Sequence, residues 1–560
     1  MRPKCRWLSR FKTVFSATAI LFVVSACSDP EPAIEGAEPT LRRLTEQQYR
    51  NVIADLFGDH IIVSGSFDPI LRQYGLIAIG AGNATISASS FDKYERLAHA
   101  IAEQVVSESN RALFISCEPA RINAPDDSCT QAFLEPVGRL LFRRPLDQSE
   151  LSQAVGLANR ASEQLGSFYE GLAFGLTSLL VSPKFLFVID EIKKGTGDDA
   201  ELTGYAKAAR LSFFLWNTTP DAKLLDAAND GALSTQKGVE EQLERMMQSR
   251  RLRHGVQAFF TDMLHLDEFE YLEKDNLIYP AFDPQATDDA REQLLRTIEH
   301  HLLDEDTDYR DLFSTRKTFM TGTLGRVYRT PVSEPDLWIP YEFSDGEGRL
   351  GIQSLAGFIA LHSHPGRSSP TIRGKAVREL LLCQTIPDPP GDVDFSVFNE
   401  PRSQQLTARE RLKVHNSVAS CAGCHRLTDG IGLSLENYDG AGQFRTRDVG
   451  FEIDASGNLD GIEYENQFGL AEALSQNPAI PVCLVEQTLA YGLAREPSRA
   501  EKDWIGFLIE KFAEDGYRFK PLLHLVAASE NFFAVTAPQQ GGNAVTQVGT
   551  LLISTKGSDS

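Results

Sequence analysis

Along most of this chain, apolar residues return every three to four positions, the period of a helix with one buried face. Thr45-Glu46-Gln47-Gln48 forms a capping box. Tyr49, Val52, Ile53, Leu56 and Phe57 share one face behind it, and Gly58 closes the element. Residues 133–142 are amphipathic and stop at Arg143-Arg144-Pro145. Asp147, with Glu150 three residues on, caps the next helix. Residues 168–180 are small and apolar enough for a buried helix. Thr203 caps a run containing Tyr205, Ala209, Phe213, Phe214 and Trp216. Ser234 caps another with Val239, Leu243, Met246 and Met247, and a third carries Val256, Phe259, Phe260 and Met263. Aromatic and methionine stripes at this spacing predict core.

His300-His301, at the end of an acidic helix, is read as a solvated C-terminal turn. Periodicity fades over residues 310–350, where Gly, Pro and Thr predict a loop-rich boundary. Helix resumes over 355–361, and 362–370 is a compact polar loop. Arg373-Gly374-Lys375 opens a helix ending near Cys383, and 387–391 is a stiff proline linker. Residues 429–439 begin as a glycine-rich turn, and 451–463 are strand-like. Helices follow around 484–493, 504–513 and 522–529.

The first residues do not fit this pattern. Arg2, Lys4, Arg6, Arg10 and Lys12 precede an apolar stretch, 14–24, that is short for a membrane span. Val24-Ser25-Ala26-Cys27 resembles the lipobox of bacterial lipoproteins, which implies that 1–26 is a signal peptide and Cys27 a diacylated N-terminus. Ser28 resembles cargo sorted to the outer membrane. The alternative is an ordinary signal peptide cut elsewhere, with Cys27 free. No later stretch is apolar enough to span, so the expected body is water-soluble and tethered by its lipid alone. Net charge is −22, and losing the leader's five cations takes it to about −27. That argues against nucleic acid or an anionic lipid surface as partner.

Cys421-Ala422-Gly423-Cys424-His425 is the chemical centre of the sequence. In an exported chain, Cys-x-x-Cys-His is the attachment pattern of c-type haem: two thiols reach one porphyrin edge, and the histidine becomes the axial ligand of the iron. A thioredoxin-like pair would open a helix after a strand, whereas 404–420 reads helix-to-loop. A zinc site needs a second pair of ligands, and no second Cys-x-x-Cys exists. A Cys421–Cys424 disulfide would leave His425 a coincidence.

The other cysteines fit an oxidising compartment. Of eight, Cys5 leaves with the leader, Cys27 is lipidated, and Cys421 and Cys424 hold haem. Cys117 and Cys129 flank a short polar loop and are expected to pair. Cys383–Cys483 then follows by elimination, against two buried free thiols.

The sixth iron ligand stays open. No methionine follows Met320. His524, His362 and His364 are candidate distal ligands; His415 sits six residues before Cys421, an awkward reach. Two histidines make a closed, low-potential site, whereas no sixth ligand leaves iron open to peroxide or oxygen. Arg445 and Gln443 are candidates for haem propionates, Arg445 also reading as a surface residue. No Ser-His-Asp order in motif context, phosphate loop or zinc-protease motif appears.

Several stretches together resemble a known family: multi-part bacterial surface proteins of unknown function associated with planctomycete-type cytochrome c. The resemblance rests on Arg43-Leu44 to Gly58, Phe142-Arg143-Arg144-Pro145-Leu146, Ser182-Pro183-Lys184-Phe185, and Ala209 to Trp216 with Pro220-Asp221. It continues in Ser369-Pro370 with Arg373-Gly374, Cys421 to His425, Leu435-Glu436-Asn437-Tyr438-Asp439 with Gly442 and Arg445, and Tyr491 to Arg495. It implies an order of parts, one covalent haem c and export, but names no substrate. Gly430 departs from the family's proline, which implies a looser turn.

The expected fold class is mainly α, multi-domain, with a C-terminal cytochrome-c-like haem domain. The expected parts are 1–26 signal peptide, 27–40 tether, 41–195 N-terminal helical domain, 196–310 central helical domain, 311–400 connecting domain, 401–537 haem domain and 538–560 disordered tail. The expected function is one-electron transfer in the cell envelope, at the outer membrane or facing the periplasm, with a redox partner protein or a small-molecule substrate. A peroxidase- or oxidase-like haem enzyme is the alternative. A surface module binding polysaccharide, with haem incidental, is the third reading, although the aromatics fall mostly on core positions.

Overall fold

A computed structural model describes residues 30–193, 200–387, 406–416 and 419–537; side chains at 414–421 are outside that description. The expected leader, Cys27, the tail after 537 and most of the proline linker therefore lie outside the described residues. The chain is mainly helical, at 58% helix, and its few strands form short two-stranded pairs.

Local caps explain where many helices begin. Thr45 and Asp147 each form a full capping box, with Gln48 and Glu150 respectively. Thr203 accepts from the Ala206 N–H at the start of Gly204–Leu215. The cap expected at Ser234 falls one residue later: Thr235 starts Gln236–Met247, and Ser234 ends a short 3₁₀ turn instead. A helix not anticipated, Ala88–Val106, begins at Ser87 and buries Tyr94, Leu97, Ala98, Ile101, Ala102 and Val105 on one face.

Two apolar cores result. The first gathers residues from Leu44 to Phe213, with Tyr49, Phe168 and Phe185 among its fully buried rings. Leu41–Arg43 pairs antiparallel with Phe187–Ile189 and ties this unit's start to its end. The expected Cys117–Cys129 disulfide is present and anchors the polar loop to the helix Asp127–Phe142. The second core gathers described residues from Leu202 to Phe533 into one cluster, and takes in Leu76, Ala78 and Ile79 from the N-terminal unit. Trp216, Met246 and Met263 are buried in it, as the stripes predicted, while Met247 is only partly buried against it; Met320, outside those stripes, is buried there too. Cys383–Cys483 is also a disulfide, spanning 100 residues within this core.

Four expectations are corrected. Residues 31–40 are not a free tether: the Asn531 amide donates to the Pro32 carbonyl, Ala37 pairs with Val535, and Thr40 donates to Asp190. His301 is not solvated. A π-turn, His300–Asp304, carries it inward, where it is buried with Nε2 2.8 Å from the Asp308 carbonyl. The stretch read as loop-rich holds a hairpin, Lys317–Met320 with Ile339–Glu342, around the helix Gly322–Tyr328. Its strands are four residues each, too short to show an alternating pattern. Finally, residue 400 does not separate two cores, because the helix Pro370–Ala376 packs directly against the helix Ala419–Leu433.

Candidate functional site

The site is built on that pair of helices. Ser369 caps the first, with Pro370 in its opening turn, so it starts three residues before the expected Arg373. The second carries Cys421, Cys424 and His425 in its first turns. A Cβ on Gly374 would overlap the Thr428 carbonyl, and one on Gly432 would overlap the Pro370 carbonyl. The two backbones therefore touch where they cross, and only glycine fits at either point. Where the cysteine helix meets the hairpin Gly457–Leu459/Ile462–Tyr464, a Cβ on Gly457 would overlap the Gly430 carbonyl, and one on Gly430 would crowd the Asn458 backbone at 3.0 Å. The turn expected after Asp429 is thus the end of a helix. Glycine is kept there for close packing, against its low helix propensity.

His425 lies one helical turn before Asp429. Its Nδ1 is 2.9 Å and 3.0 Å from the two Asp429 carboxylate oxygens. Thr371, on the crossing helix, donates to Asp429 Oδ1 at 2.9 Å, with its hydroxyl 3.5 Å from His425 Nδ1. The histidine and aspartate side chains are 13% and 6% exposed, so the pair is set into the protein and not splayed on its surface. A carboxylate on Nδ1 fixes the ring's tautomer and orientation, and leaves Nε2 as the nitrogen for a metal. Cys424 is a free, half-buried thiol, with Sγ 3.6 Å from the Pro387 carbonyl. Cys421 lies in the same helix, three residues before Cys424, a spacing that puts both on one face; its side chain is outside the described residues.

Behind the pair sits a buried ionic hub. Arg373 is fully buried and donates to Glu436 at 3.2 Å, to the Leu435, Tyr438 and Asp439 carbonyls, and to Ser363. Arg445 reaches the same Glu436 at 3.0 Å, together with Asp448 and Ser368. The arginine expected to face propionates is therefore engaged within the protein. Gln443 donates to the Val327 carbonyl.

The candidate distal ligands are scattered. His524 lies on Phe519–Ala528 and pairs with Glu240 at 3.0 Å, on a helix belonging to the central segment. His362 is buried against the Phe358 ring, its Nε2 has no hydrogen-bond partner, and burial pushes its pKa down to about 3. His364 is half-buried; its carbonyl accepts from Lys274, whose ammonium burial and then Arg373 lower to about 7. Among the described contacts, none joins His524, His362 or His364 to His425. His415's side chain is outside the described residues.

Asp429 and Thr371 are the residues the sequence reading missed. An aspartate four positions after the histidine is a visible signal once 419–433 is known to be helix; Thr371 has no local signal. Among the described residues, no group of three metal-ligating side chains converges, and no helix is long and apolar enough to cross a membrane.

With this geometry, the chain's class can be stated: a multi-domain, mainly helical protein assembled from domains of unknown function known for their association with planctomycete-type cytochrome c. Five segments match models of such domains. They are residues 42–107 (DUF1587), 129–190 (DUF1595), 202–329 (DUF1592), 349–448 (DUF1588) and 460–532 (DUF1585), each described as a protein of unknown function. The site described above falls within 349–448, which joins both crossing helices in one unit. No curated protein and no solved structure matches the chain.

Proposed function

We propose that the protein is a monohaem c-type cytochrome of the cell envelope, tethered through Cys27, that passes single electrons to or from a partner. One observation carries the reading. Four of the body's cysteines are spent on two disulfides, while Cys424 stays a free thiol beside a histidine already oriented through Nδ1. The donor set fits the group: Cys421 and Cys424 would hold haem by thioether bonds, and His425 would ligate its iron through Nε2. Bound there, the haem would supply a one-electron couple. The chain's own part is to fix the His425 ring, bury its partner Asp429, and hold both on a helix locked against its neighbour.

The test is the soluble body made with a c-type maturation system. A mass gain of one haem that survives denaturation, with a c-type spectrum on reduction, is the expected result; a colourless protein would overturn the proposal. A second reading, an enzyme with an open sixth position, draws on the placement of His524, which pairs with Glu240 on a helix of the central segment. Low-spin iron indifferent to cyanide supports the carrier, and high-spin iron that binds cyanide supports the enzyme.

A further inference from the structure

We propose that Asp429 is a positioning residue that makes His425 an electron-rich ligand and so sets the haem's affinity for its electron. This rests on the haem reading above and deepens it. The carboxylate accepts a hydrogen bond from the Nδ1 N–H of His425, with its two oxygens 3.0 Å and 2.9 Å away. An acceptor that carries charge pulls that proton further than a neutral one, drawing the ring toward imidazolate and making Nε2 more basic. A more basic ligand favours ferric over ferrous iron, so the site would give up its electron more readily than one with a neutral acceptor. The couple is one electron at the iron, supplied or taken by the partner, and the shared proton stays between the same two atoms.

Thr371 acts in the opposite sense. Its hydroxyl donates to Asp429 Oδ1 at 2.9 Å and spends part of the carboxylate's basicity. The Thr428 hydroxyl, 3.4 Å from the same oxygen, adds a weaker share. The pair and its brake therefore come from both crossing helices. A purely structural hydrogen bond has no such sign: losing either partner would loosen the ring in the same way.

The experiment is a spectroscopic redox titration of the purified haem-loaded protein, its Asp429→Asn variant and its Thr371→Val variant. Asparagine keeps an oxygen facing Nδ1 but removes the charge. At fixed solution potential, Asp429→Asn should lower the ferric-to-ferrous ratio, each tenfold fall being a rise of about 59 mV in the potential of a one-electron couple. Thr371→Val should shift the ratio the other way, by a smaller factor. Asp429→Glu should restore most of the wild-type value. Unchanged potentials, or shifts of the same sign in the asparagine and valine variants, would overturn the inference while leaving the haem reading intact. A wild-type protein that takes up no haem would overturn both. If Asp429→Asn fails to fold, the downward shift in Thr371→Val decides the matter alone.

Discussion

Arg373→Met tests whether the hub behind the cysteine helix holds the two crossing segments together. The side chain is fully buried and its guanidinium meets one carboxylate, three carbonyls and one hydroxyl. Removing one partner of a buried ion pair costs about 3–5 kcal/mol, because the other charge stays buried. Glu436 keeps Arg445 and Ser368 here, which argues for the lower half of that range. The three carbonyls lose a charged donor, at about 1 kcal/mol each if water cannot replace it. A total of about 6 to 7 kcal/mol is therefore expected. With a urea slope of about 2–3 kcal/mol/M, the unfolding midpoint of the second core should fall by between about 2 and 3.5 M. Hydrogen exchange should quicken first at residues 434–446, whose carbonyls the guanidinium gathers. Adding Glu436→Gln should cost less than the two single changes summed, by at least about 1 kcal/mol, since the first has already broken the pair. A midpoint shift below about 0.3 M, or strict additivity, would refute the assignment of Arg373 as the hub.

Further predictions concern the covalent staple and an acid-sensitive pair. Changing Cys383 and Cys483 together to serine opens a 100-residue loop, with an expected loss of about 4.7 kcal/mol on chain entropy alone; denaturant unfolding measures it, and an unchanged midpoint would refute it. Glu150 is opposed by burial, but hydrogen bonds from Arg144, Lys184 and the Asp147 N–H prevail and take its pKa down from 4.5 to about 2. A depressed carboxylate contributes stability that is present above its unfolded pKa and lost as pH falls through the folded one. Between about pH 4.5 and 2, then, the wild type should lose thermal stability more steeply than Glu150→Gln, and parallel curves would refute the pairing.

What could be read without coordinates was local. Thr45, Asp147 and Thr203 announce their helices because a cap and its partner lie within three residues. Cysteine pairing was legible as arithmetic, once export and the haem motif had claimed the others. The missed features depend on residues far apart in the chain. Nothing near Gly430 or Gly432 says that Asn458 or Pro370 will press on them, so glycine read as turn chemistry when it was packing chemistry. His301 looked solvated because the π-turn that rotates it inward leaves no sequence mark. Arg445 is a mixed case: its partners Glu436 and Asp448 are local, and only Ser368, 77 residues earlier, is remote. Asp429 was the exception: its signal was local, and it was passed over because the element around it was read as a turn.

The glycine crossing also bears on where this protein can be cut. A piece excised at residue 401 would carry its cysteine motif on a helix stripped of the neighbour it fits. Gly432 would lose the Pro370 backbone, Asp429 would lose Thr371, and Glu436 would be left with a single arginine. These contacts require the piece to begin no later than about residue 349, where the matched segment begins, and the core it shares runs further back to Leu202. Cys383–Cys483 then ties that piece to the chain's last third, so the cut has to run through to about residue 533. Any attempt to transplant the motif as an interchangeable electron carrier would have to move at least about a third of the protein with it.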